Sequence, residues 1–184
     1  MSSVHQTPGI WRQVNQIYAR PPVSTEQILH PTKYKAGGDP ILVSLPAGTS
    51  LIQEGWEVVM EDVFSEFLLR TYLETGLPRL QSIRAASGWG GDRFRLLKDD
   101  FGGRALGVSC GVRVGHGHRR REVFEAYIEF TAQTSQWERR EDKGDILTWH
   151  RPGRSVLIRL EGENTLIGIA PDPKTLALIA KGFP

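Results

Sequence analysis

The sequence has little of several features that usually reveal a function. It contains one cysteine, Cys110, in 184 residues, so no disulfide can form within the chain. It has no run of about 18 apolar residues that could span a membrane. Its first residues carry neither a basic nor an apolar segment of the signal-peptide kind. These absences predict a cytoplasmic protein that does not associate with membranes.

Motifs for metal and cofactor chemistry are missing as well. The sequence has no Walker-type loop, no Cys-x-x-Cys and no His-Glu-x-x-His. The five histidines and one cysteine do not have the spacing of zinc ligands. We therefore expect no metal and no cofactor. A hydrolase that uses Glu26, His30 and Glu66 is the least favoured of the alternatives.

Charge is distributed unevenly along the chain. The formal net charge is +2, but residues 54–74 carry six acids and one base, which gives −5, and residues 79–121 carry ten bases and three acids, which gives +7. This asymmetry favours pairing with a protein partner or with a second copy of the chain. It is not the strongly basic composition typical of nucleic-acid binders.

The composition, with 39% hydrophobic residues, predicts a single domain over residues 1–184 with a substantial core. A minor seam is expected between residues 36 and 55, where glycine, proline and serine collect. The periodicity predicts α+β: an antiparallel sheet with helices on one face, after a helical N-terminal portion. The predicted helices cover residues 9–19, 25–29, 62–75, 78–87, 120–134 and 173–181. The predicted strands cover residues 41–45, 56–60, 93–98, 104–114, 146–150, 154–160 and 165–170.

Residues 21–34 form the most constrained segment. Two prolines end the first helix, Ser24 and Gln27 fit a capping box, and Pro31 should stop the short helix between them. One interpretation is a rigid structural corner. The other places Ser24, Glu26, His30 and Tyr34 in a polar cluster on one surface, with a ligand groove near His30.

The glycine-rich residues 88–93 separate a predicted helix from a predicted strand. A phosphate loop would precede a helix instead, so we expect a tight turn in which Trp89 fills the core. Asp92 and Arg93 should hold this turn in place. Glu66 either supports its own helix by pairing with Arg70 or meets Arg93 or His30 in a buried network.

Residues 116–121 read His-Gly-His-Arg-Arg-Arg. The two histidines lack a third metal ligand, so a solvated loop is the simplest interpretation. Arg119, Arg120 and Arg121 lie at a helix N-terminus, where positive charge is unfavourable. An anion or an acidic partner would relieve this charge, which makes these arginines candidate anion-binding residues.

Three blocks of the sequence resemble one known family. They are Val14-Asn15 with residues 18–34, the helix around Ser65-Glu66-Phe67, and residues 85–93 (Ala-Ala-Ser-Gly-Trp-Gly-Gly-Asp-Arg). Together with the later strands they are similar to the C-terminal, accessory half of uncharacterised bacterial proteins whose longer members carry an upstream zincin-like metallopeptidase domain. The likeness covers most of residues 10–170, but the zinc-binding half is absent.

The resemblance implies a non-catalytic domain that acts by protein association or self-assembly. It also implies a structural network of Ser24, Glu26, His30, Glu66, Asp92 and Arg93. The alternative is a small-ligand or anion-binding module that uses the arginines 119–121 or the groove near His30.

Overall fold

A computed structural model describes residues 10–45, 49–99, 106–114 and 120–181. The chain divides into two compact units, with the boundary between Asp39 and Pro40. This boundary lies in the stretch where glycine and proline are frequent. No helix within the described ranges is long and apolar enough to cross a membrane.

The first unit contains three short helices among its described residues: α1 (Ile10–Ala19), α2 (Thr25–Leu29) and α3 (Pro31–Ala36). The Ser24 side chain accepts a hydrogen bond from the Gln27 N–H, as the capping pattern predicts. The helix α2 ends before Pro31, as expected, but Pro31 is also the first residue of a further helix, α3. Proline fits the first position of a helix, where its missing N–H has no partner to lose.

The second unit alternates helices and strands. Its described elements are α4 (Thr49–Gln53), β1 (Trp56–Asp62), α5 (Ser65–Glu74), α6 (Arg79–Ala86), β2 (Trp89–Asp99), β3 (Leu106–Val114), α7 (Arg120–Thr134), β4 (Arg139–Asp142), β5 (Ile146–Arg151), β6 (Arg154–Glu161), β7 (Asn164–Ala170) and α8 (Pro173–Lys181). The described strands form one antiparallel sheet in the order β1-β2-β3-β7-β6-β5-β4. The sheet therefore ends in β1 on one side and in β4 on the other.

The α+β class and the antiparallel sheet are confirmed, and helices lie on both faces of this sheet. Val156 and Ile158 of β6 pack into the cluster that contains α5, α6 and α7. Leu157, between them, packs on the other face with Leu176 and Ile179 of α8. Successive strand residues point to opposite faces, so the continuous buried run in β6 requires cover on each side. The sequence predicted helices on one face only. The helices α4 and α8 form a second layer on the other face.

Several local features differ from the sequence-based expectations. Residues 88–93, expected to form a tight turn before a strand, are mostly strand themselves, because β2 begins at Trp89. Residues 41–45 form no strand; the backbone N–H of Ile41 donates to the Gly90 carbonyl. The backbone passes so close there that a Cβ on Gly91 would lie 2.0 Å from the Ile41 carbonyl oxygen. The short strand β4, made of four charged residues, has no apolar alternation from which it could be predicted.

Candidate interaction surface

The strand β1 lies at one edge of the sheet and is exposed along six of its seven residues. Its inner side pairs with β2, with an irregularity in register between Val58 and Met60. Among the described residues no strand pairs with its outer side. An edge strand presents unpaired N–H and C=O groups that can pair with another chain.

The opposite edge, β4, differs in length and composition. It has four residues, Arg-Arg-Glu-Asp. Short edge strands with charged side chains are a common protection against unwanted strand pairing. The strand β1 instead has seven residues with Val58, Val59 and Met60 at its centre. Only the β1 edge of this sheet therefore combines length with apolar side chains.

Apolar exposure continues from β1 into the first turn of α5. We name six side chains along this edge the β1–α5 surface: Val58, Val59, Met60, Val63, Phe67 and Leu68. Each is between 37% and 54% exposed. Val58 lies opposite Leu97 and Met60 opposite Leu96, so these side chains flank the edge on both faces of the sheet. Scattered exposed apolar residues are ordinary, but six within residues 58–68 form a concentration that the charged edge β4 lacks.

Asp92 of β2 holds the turn that joins β1 to α5. Its Oδ2 accepts a hydrogen bond from the Phe64 N–H at 2.8 Å, and its Oδ1 accepts one from the Ser65 N–H at 3.0 Å. The Trp89 indole N–H donates to the same Oδ1 at 2.9 Å. The carboxylate thus satisfies two backbone donors at a helix start, where no intrahelical acceptor exists.

The turn held by Asp92 is strained. Ser65 has a φ of +65° and is the sole non-glycine residue with positive φ in the described part of the chain. Such a conformation costs roughly 1–2 kcal/mol. Phe64 anchors the turn from the other side through edge-on contacts with Phe94 and Tyr72, with ring centroids 5.3 and 6.0 Å apart. This anchoring fixes where α5 begins in space, and hence where its residues Phe67 and Leu68 lie relative to β1.

Burial raises the pKa of Asp92, although the hydrogen bonds from Ser65, Phe64 and Trp89 act in the opposite direction. Its side chain is 4% exposed, so the carboxylate loses most of its hydration in the folded protein. Asp92 therefore has a structural role through its hydrogen bonds, although burial disfavours its charged form.

Glu61 ties β1 to β2 on the exposed side of the edge. Arg95 donates to one of its oxygens, with Nη2 at 2.7 Å, and Arg93 Nε donates to the other at 2.9 Å. Hydrogen bonds from Arg95 and then Arg93 lower the pKa of Glu61. This pairing brings Arg93 to Glu61. Asp92, the adjacent residue, turns to the opposite face toward α5, as strand alternation requires.

Of the remaining predicted residues of the second unit, those that the structure describes lie on α5 and α7. Glu66 is buried in the first turn of α5, while Arg70 pairs with Glu74 at 2.8 Å. Arg121, in the first turn of α7, pairs with Glu125 at 3.1 Å. His116, His118 and Arg119 lie outside the described residues, and so does the side chain of Arg120.

The first unit shows what the predicted polar corner is made of. Glu26 is buried and forms an ion pair with Lys33. The backbone N–H of His30 donates to the Glu26 carbonyl at 2.8 Å. Gln27 uses both ends of its side-chain amide, since its Oε1 accepts from the Val23 N–H and its Nε2 donates to the Gly38 carbonyl, both at 2.8 Å. The two parts of the predicted network therefore lie in different units of the chain.

Residues 107–111 read Gly-Val-Ser-Cys-Gly, which matches the spacing of a nucleophile elbow. An elbow requires a sharp turn from a strand into a helix. These residues lie within β3, paired on one side with β2 and on the other with β7. These residues therefore do not form the strand-to-helix turn of a nucleophile elbow. In the described ranges no group of three His, Cys, Asp or Glu side chains is arranged to hold a metal ion.

Sequence reasoning missed the role of Gln27 and the position of β1. The capping pattern located Gln27 but gave no reason to expect its side chain to reach residue 38. The acidic bias of residues 54–74 was visible, but β1 could be placed at an edge only once the strand order was known. Comparisons with protein-family models, with curated proteins and with solved structures find no match to this chain.

Proposed function

We propose that this protein acts by association, and that its β1–α5 surface receives an extended segment of a partner protein. The observation that carries the proposal is the contrast between the two sheet edges: β4 is short and charged, whereas β1 is longer, exposed and apolar at its centre. Strand addition to an exposed edge combines backbone hydrogen bonds with contacts to alternate side chains.

The charge of the region indicates what the partner segment should contain. Residues 54–74 have a net charge of −5 in the sequence. Arg93 and Arg95 neutralise Glu61, but Glu57 is largely exposed and its ion pair with Lys98 is long, at 3.7 Å. A segment that alternates apolar and basic side chains would match both the apolar centre and the acidic surroundings. We therefore assign the surface to a basic, extended segment.

A second copy of β1 fits the surface less well than such a partner. In an antiparallel pair centred on Val59, Glu57 of one copy would face Glu61 of the other. Like charges at directly opposite positions are destabilising. This proposal agrees with the resemblance to accessory halves of metallopeptidase-like proteins, in which catalysis belongs to a separate domain.

Two labelled ten-residue peptides test the proposal, one alternating valine with lysine and the other alternating valine with glutamate. We expect the basic peptide to bind more tightly in fluorescence anisotropy and to weaken as salt rises, because the attraction is screened over roughly 8–10 Å. Hydrogen exchange at the amides of residues 56–62 should slow on binding, because strand addition satisfies outward N–H groups. Equal affinity of the two peptides, or unchanged exchange, would contradict the proposal.

Val59→Lys is the decisive variant and Leu80→Lys its matched control. Both replace an exposed apolar residue by lysine, but Leu80 lies on α6 and is 73% exposed. We expect Val59→Lys to weaken the basic peptide about tenfold, equivalent to ~1.4 kcal/mol, and Leu80→Lys to leave it unchanged. Sedimentation of the wild type and of Val59→Lys then identifies what binds the surface. If the wild type self-associates and Val59→Lys does not, the surface binds a second copy of the chain and not a partner segment.

A further inference from the structure

The β5–β6 hairpin places two arginines side by side at its turn. Arg151 ends β5, Arg154 begins β6, and the two are direct partners in the antiparallel register. Directly opposite residues project to the same face of a sheet, with Cβ atoms about 5 Å apart. Two positive charges in such positions repel each other. The turn therefore carries an unfavourable pair unless something negative lies near it.

Neither of these arginines has an acidic partner within the described ranges. Arg159, on the same hairpin, pairs with Glu161 at 3.0 Å. The Nε atoms of all three arginines are covered from solvent and have no hydrogen-bond partner among the described residues, so the missing ion pair is what distinguishes Arg151 and Arg154 from Arg159. An external anion that accepts from the terminal Nη groups of Arg151 and Arg154 would offset the repulsion between them.

Trp137 holds one of the two guanidinium groups in place. The Cζ atom of Arg151 lies 5.7 Å from the centroid of the Trp137 ring. The indole N–H donates to the Thr131 carbonyl at 2.7 Å, so the ring is fixed against the end of α7. A cation–π contact restrains a guanidinium without using its N–H donors. The contact thus positions the Arg151 guanidinium and leaves its terminal Nη groups for an acceptor, whereas its Nε is covered.

We propose that Arg151 and Arg154 form a binding site for a phosphate group. The planar fork of an arginine matches the oxygens of phosphate and can donate two parallel hydrogen bonds. A tetrahedral phosphate has enough oxygens to accept from two forks at once, whereas one carboxylate has only two. Free phosphate and a small phosphate monoester share this chemistry. The site is independent of the β1–α5 surface, since it involves other strands and the opposite charge.

Isothermal titration of the full chain with inorganic phosphate tests this site, with phenyl phosphate and acetate as separate arms at matched ionic strength. We expect one phosphate per chain, binding at about millimolar concentration or below, and acetate at least fivefold weaker. If phenyl phosphate binds as tightly as phosphate, the site reads a terminal phosphate group; if it does not bind, free phosphate is the ligand. No titratable phosphate binding up to ~10 mM would overturn the proposal.

Arg154→Gln should weaken phosphate at least tenfold, while Arg84→Gln, at an exposed arginine on α6 without an ion pair among the described residues, should leave it unchanged. Without phosphate, Arg154→Gln should be no less stable than the wild type, because the repulsion is gone. A purely structural arginine would give the reverse: lower stability and unaltered phosphate binding.

If Arg154→Gln does not fold, Arg154→Lys tests the site instead, because lysine keeps the positive charge and lacks the planar fork of N–H donors. Weaker phosphate binding then supports the site, and unchanged binding overturns it.

Discussion

The indole N–H of Trp89 donates to the carboxylate of Asp92 at 2.9 Å, and both side chains are almost completely buried. Trp89 packs in the larger core cluster. The same carboxylate oxygen accepts the N–H of Ser65 at the start of α5. Asp92 thus links the core, the start of β2 and the turn that follows β1. The β1–α5 surface therefore depends on a buried carboxylate that a partner bound at the surface would not contact.

Replacing Asp92 should therefore destabilise the second unit. Asp92→Ala leaves three N–H donors without their acceptor, and we expect a loss of roughly 2 kcal/mol in the free energy of unfolding, measured by urea denaturation. Asp62→Ala is the control, because within the described ranges that exposed carboxylate accepts a hydrogen bond only from the Val63 N–H, at 2.7 Å. Its cost should stay below about 1 kcal/mol. Equal losses for the two variants would contradict the role given to Asp92.

Relief of strain at Ser65 should have the opposite sign. Ser65→Gly removes the Cβ that disfavours a φ of +65°, and we expect a gain of about 0.5–1 kcal/mol after the larger chain entropy of glycine is counted. Ser65→Ala keeps the Cβ and should give no gain. A calorimetric melting temperature that falls for Ser65→Gly would show that the turn is not strained.

The ion pairs of Glu61 should make a small contribution that depends on pH. Because the pKa of Glu61 is lowered by Arg95 and Arg93, its contribution is present above the ordinary pKa of glutamate, near 4.3, and is lost as the pH falls through the lowered value. The carboxylate is partly exposed, so we expect Glu61→Gln to cost at most about 1 kcal/mol at pH 7.

The difference between wild type and Glu61→Gln should shrink when urea denaturation is repeated between pH 5 and pH 3. Glu57→Gln is the matched control, since the Glu57 carboxylate is 3.7 Å from Lys98 and mostly exposed. We expect a smaller cost at pH 7 for this control. A difference for Glu61→Gln that grows toward low pH would have the wrong sign for a lowered pKa.

In the first unit, Gln27 should matter more than an exposed helical residue. Gln27→Ala removes the acceptor of the Val23 N–H and the donor to the Gly38 carbonyl, and we expect a loss of about 1–2 kcal/mol in the free energy of unfolding. Lys35→Ala is the control, because Lys35 is an exposed residue of α3, and its effect should be under ~0.5 kcal/mol. Amide exchange of residues 21–39 measures both. Equal effects of the two variants would contradict the role given to Gln27.

Local interactions made much of the fold predictable from the sequence. The bounds of α2 follow from Ser24 at its start and the proline after His30, and α7 follows from apolar spacing along residues 120–134. Capping, proline geometry and helical periodicity act within a few residues of one another. The same holds for the α+β class, because strand and helix patterns differ in period.

Strand order, and with it the candidate site, was decided by the tertiary structure. A run such as residues 56–60 indicates a strand. That β1 is an edge follows from the strand order, in which β2 is its single neighbour among the described strands. The partner of Arg93 was likewise open until register placed Glu61 opposite Arg95. The sequence by itself determined which segments fold and where charge collects, because those properties are local. Which side chains meet, and which edge stays open, depended on pairings between residues about thirty positions apart, which local pattern does not encode.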